Sequence, residues 1–76
     1  MWHCKNLGDA MLSGIELDKI KQQAKAADAP LFVRYVAKYG LHCEVIVYFP
    51  PAASELAKQC LASPCLAPDQ QDLTAL

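Results

Sequence analysis

LFVRYVAKYGLHCEVIVYF, residues 31–49, reads as two β-strands folded back on one another. The odd positions Leu31, Val33, Tyr35 and Ala37 on the first strand are matched by Leu41, Cys43, Val45, Val47 and Phe49 on the second. Facing residues of an antiparallel pair lie on the same side of the sheet, so odd positions oppose odd ones and an even-length loop is excluded. A three-residue loop, Lys38-Tyr39-Gly40, meets that condition. It also puts glycine at the left-handed position such loops use. This register sets Val33 opposite Val45, Tyr35 opposite Cys43 and Arg34 opposite Glu44, the last an opposite-charge pair. A register displaced by two residues sets Val33 opposite Val47 and leaves the faces unchanged.

The odd face of this hairpin is expected to be continuous core. The even face carries Phe32, Arg34, Val36 and Lys38, then His42, Glu44, Ile46 and Tyr48. Two strands cannot cover two apolar faces, and a lone hairpin is marginal in water. Helices are therefore expected on the odd face and a partner on the other. Phe32, Val36, Ile46 and Tyr48 form the expected interface, because apolar patches and open strand edges mark association sites. The expected partner is a second copy or another protein, with two hairpins joining into a four-stranded sheet.

Outward from the hairpin, Ser13 and Glu16 match the S-x-x-E capping box at a helix start. Leu17, Ile20, Ala24 and Ala27 recur at helical spacing, and Pro30 closes the helix. Pro50-Pro51 opens a second helix whose buried stripe is Ala53, Leu56, Ala57, Cys60 and Leu61, ended by Ser63-Pro64. Residues 1–12 read as an arm in which Asp9 caps a short helical turn through Leu12. Residues 65–76 read as a flexible tail with one helical turn near Asp69 to Leu73. The expected fold class is α+β: a two-stranded antiparallel hairpin on two helices, in the order α-α-β-β-α, forming one domain over residues 1–64.

The chain has 76 residues, 54% of them hydrophobic and 20% charged. So short a chain buries a modest core and needs extra support from cross-links, metal or association. A formal net charge of -1 provides no basic field for nucleic acid or anionic lipid. The aromatics on the hairpin lack the cationic groove that single-strand binders add to a stacking platform. Neither a signal-peptide pattern nor a membrane-length apolar run is present, so a cytoplasmic location is expected.

The candidate chemistry is sparse. His3-Cys4, His42-Cys43, Cys60 and Cys65 supply metal-ligand types, but the spacing lacks a C-x₂₋₄-C knuckle. His42 and Cys43 are strand neighbours and point to opposite faces. No metal or other cofactor is expected. No export signal supports disulfide stapling, and a Cys60–Cys65 bridge would form only after oxidation. Arg34, His42 and Glu44 gather at the polar turn end, where His42 suits proton transfer and Arg34 suits anion binding. A bland solvated ion pair explains the same residues. Ser13 is used as a cap, no nucleophile elbow is present, and the glycines are isolated. The expected function is a small protein-interaction or regulatory module without enzymatic activity. The alternative is a small-molecule or metal-responsive binding protein using Arg34, His42 and Glu44.

Overall fold

A computed structural model describes residues 1–68 and 73–75. Strand β1 (Trp2–Asp9) leads into helix α1 (Gly14–Ala27), followed by strands β2 (Phe32–Tyr39) and β3 (His42–Phe49). A 3₁₀ turn (Pro51–Ala53) runs into helix α2 (Ser54–Gln59), and two short strands, β4 (Ser63–Cys65) and β5 (Thr74–Ala75), follow. Among the described residues the strands form one five-stranded sheet in the order β4-β1-β3-β2-β5. Every neighbouring pair is antiparallel. The first four strands with the two helices interleave as split β-α-β units, the ferredoxin-like arrangement. That architecture hosts many activities and assigns none.

The expected two-stranded hairpin in the order α-α-β-β-α is therefore corrected. β3 is the middle strand, with β1 on one side and β2 on the other. The extra strands come from the chain's own ends and not from a second copy. Residues 1–12 contain β1 in place of a helical arm. Its core-facing positions include His3 opposite Phe49 and Lys5 opposite Val47, so apolar alternation is missing. Pro64 lies within edge strand β4, where its missing N–H is tolerated. Thr74 and Ala75 pair with Val33 and Phe32. Asp69 to Asp72, which carry most of the expected helical turn, lie outside the described residues.

The hairpin adopts the displaced register, with Val33 opposite Val47 and Arg34 opposite Ile46. A bulge between Ala37 and Tyr39 makes this possible. The extra residue resets the odd-to-odd count, so a tight Gly40-Leu41 connection joins Tyr39 to His42. Gly40 takes φ 56°, which L side chains adopt reluctantly. A second bulge at Leu7 lies on the other side of β3, next to Gly8 at φ 82°.

Both helices cover the odd face. Leu17, Ile20 and Ala24 of α1 pack with Leu56 and Ala57 of α2 over Leu31, Val33, Val45, Val47 and Phe49. This core stops short of the turn: Tyr35 is 56% exposed and Leu41 is 97% exposed. Ala27, placed on the buried stripe by its spacing, is also exposed. Ser13 is buried, but its side chain makes no capping hydrogen bond, and Glu16 pairs with Lys5 instead. Helix α1 ends before Pro30. The Asp28 N–H donates to Lys25 O and the Ala29 N–H to Ala24 O, with Asp28 at φ 51°. No helix among the described residues is long and apolar enough to cross a membrane.

Candidate functional site

A cleft of about 460 Å³ lies between α1, β1 and the end of α2. Its rim carries Leu12, Ile15 and Leu61, which are 86%, 88% and 83% exposed. Ile15 projects there because it lies off the Leu17–Ile20–Ala24 stripe that faces the sheet. Leu61 is turned out by the end of α2. The Leu61 N–H donates to Lys58 O and the Ala62 N–H to Ala57 O, closing a C-terminal motif with Leu61 at φ 60°. The expected burial of Leu61 on the α2 stripe is thereby corrected.

The lining is mixed in charge. Lys5 Nζ lies 3.2 Å from Glu16 Oε1, bridging β1 to α1. Lys19 also lines the cleft, and no ion-pair partner for it is found among the described residues. At the inner wall the Cys60 thiol donates to Gln23 Oε1 at 3.5 Å. Burial pushes this thiol above its ordinary value of 9.0, against the opposing charge of Lys5. It is therefore a protonated donor at neutral pH and a weak nucleophile. An apolar rim with scattered polar groups suits the capture of an amphipathic segment, since apolar contacts supply burial and polar groups orientation.

The residues singled out in the sequence fall elsewhere. His42 and Glu44 lie at the turn end, where His42 Nδ1 is 3.3 Å from Asp9 Oδ2 and Tyr39 packs on the His42 ring. Glu44 faces Val36 and Asp9 across the sheet and not Arg34. Its Oε1 lies 3.1 Å from Lys38 Nζ and accepts a 3.3 Å hydrogen bond from Asn6. These contacts hold the Glu44 carboxyl below its ordinary range, Lys38 contributing most. The Met11 N–H donates to Asp9 Oδ1 at 2.8 Å. That bond first, then His42, lowers the Asp9 carboxyl. Each carboxylate is thus already occupied by neighbours. Among the described residues no group of three or more His, Cys, Asp or Glu side chains is placed to hold a metal.

Phe32, Val36 and Ile46 on the outer sheet face are half-buried, and Tyr48 is 8% exposed. Trp2 contributes to this face, its ring centroid 5.9 Å from that of Phe32. The helical cleft was not read from the sequence. The available signal was Ile15, a large apolar residue in the first turn of α1 that the helical stripe does not use. Comparison of the chain with protein-family models, curated proteins and solved structures finds no match.

Proposed function

We propose that this chain is a protein-binding module, without catalytic activity, that receives a short amphipathic segment of a partner in the cleft between its helices. The observation that carries this reading is the convergence on one cleft of Leu12 and Ile15, from around the start of α1, and Leu61, from the end of α2. Such side chains cost solvation unless something covers them. Lys19 favours a partner whose apolar side chains are flanked by a carboxylate. The outer sheet face has weaker support as the binding surface, because Tyr48 is buried in the chain itself.

The test is selection of peptides from a random library on the full chain, followed by amide-shift mapping. Bound peptides should perturb Leu12 through Gln23 together with Cys60 and Leu61. Ile15→Glu should weaken binding by about tenfold or more while leaving the circular dichroism spectrum unchanged, the effect of placing a charge in an apolar contact. Perturbations confined to the polar turn end or to the outer sheet face would overturn the reading. So would unchanged affinity in Ile15→Glu.

A further inference from the structure

Cys4 and Cys65 meet on the outer face of the sheet, away from the helical cleft. β4 pairs with β1 through Trp2 opposite Cys65 and Cys4 opposite Ser63. The two cysteines are therefore diagonal neighbours on adjacent strands, on the same side of the sheet. All four cysteines of the chain are free thiols, and these two are half-buried and so reachable from solvent. Burial, together with a hydrogen bond to Cys4, pushes the Cys65 thiol up to about 11. The register thus makes the two cysteines neighbours across the β1–β4 ladder.

The other two cysteines have different surroundings. Cys60 is buried on the helix side of the sheet against Gln23. Cys43 pairs with Ala37 near the turn, while Cys4 lies opposite Tyr48. A Cys60–Cys65 bridge would have to join opposite sides of the sheet.

We propose that Cys4 and Cys65 form a dithiol site that a small-molecule disulfide, such as oxidised glutathione, converts into a covalent bridge between β1 and β4. The Cys4 thiolate attacks one sulfur of the glutathione disulfide. Its S–S bond breaks, a mixed disulfide forms at Cys4, and one glutathione leaves as thiolate. Cys65 passes its proton to that thiolate and attacks Cys4 Sγ. The protein disulfide forms, and the second glutathione leaves and takes up the proton first released by Cys4. Two protein thiols are oxidised and one glutathione disulfide is reduced to two thiols. The bridge pins β4, whose contact with β1 is confined to Trp2, His3 and Cys4. It also closes a loop spanning most of the chain, the case in which a cross-link restricts the unfolded state most.

The experiment equilibrates the full chain in mixtures of reduced and oxidised glutathione, quenches with acid and alkylates the remaining thiols. Peptide mapping and thermal unfolding are the readouts. The expected result is a linked peptide containing Cys4 and Cys65, with Cys43 and Cys60 alkylated. The thermal midpoint should rise by about 10 °C. Cys65→Ser should stop at the mixed disulfide on Cys4, and Cys43→Ser should still form the bridge. Full alkylation of both Cys4 and Cys65 at every glutathione ratio would overturn the proposal. A bridge involving Cys43 or Cys60, or a bridged form that melts below the reduced one, would do so as well.

Discussion

Ser13 illustrates how a residue can match a local motif and be used differently. It stands where a helix cap belongs and is 4% exposed, yet its Oγ has no hydrogen-bond partner among the described residues. A working cap contributes about 1 kcal/mol, whereas a buried hydroxyl without a partner is a cost. Ser13→Ala should therefore change the unfolding free energy by less than about 0.5 kcal/mol, or raise it. Urea denaturation measures this directly. A loss of about 1 kcal/mol would mean that the serine caps α1 after all. Lys5 shows the converse case: a charged residue on the core-facing side of β1 is accommodated because its amine reaches Glu16 at the edge of α1.

At the scale of elements, the ends of the helices shape the cleft. Both α1 and α2 stop through a left-handed residue that is not glycine, Asp28 at φ 51° and Leu61 at φ 60°. Aspartate tolerates this conformation better than leucine does. Leu61 is also largely solvated, so it gains little from packing in the free protein. Leu61→Gly should stabilise the fold by about 0.5–1 kcal/mol, seen as a higher urea midpoint. The same change removes one wall of the proposed binding cleft and should weaken peptide capture. A variant that is less stable, or that binds peptide as well as the parent, would contradict this account of Leu61.

For the molecule as a whole, the polar turn end ties β1, β2 and β3 together through Asp9–His42 and Glu44–Lys38. Asp9 and Glu44 have folded-state values below their ordinary 3.8 and 4.5, so the unfolded chain binds protons more readily at these groups. Their contribution to stability is present above those ordinary values and is lost as pH falls through the lower folded ones. The denaturation midpoint should accordingly drop as pH is lowered below about 4.5, and the drop should be shallower in an Asp9→Asn, Glu44→Gln double variant. Equal acid sensitivity in parent and double variant would assign the effect to other carboxylates. Both side chains are partly exposed at the surface, so added salt should reduce the difference.

The hairpin's two strands, the sheet-facing stripes Leu17–Ile20–Ala24 and Ala53–Leu56–Ala57–Cys60, and the two-helix cover of the odd face are legible in residue order because each follows a local period. β1 and β4 are not legible in this way. The inward positions of β1 include His3 and Lys5, and β4 is a short edge strand containing Pro64. β1 becomes a strand because β3 offers it a ladder, with His3 meeting Phe49 from a distant part of the chain, and β4 in turn pairs with β1. The hairpin register follows the same logic. One extra residue at a bulge changes which side chains face each other, and alternation in a single strand carries no record of it. The cleft also arises in three dimensions, because Ile15 and Leu61 become neighbours only after both helices have docked on a common sheet face.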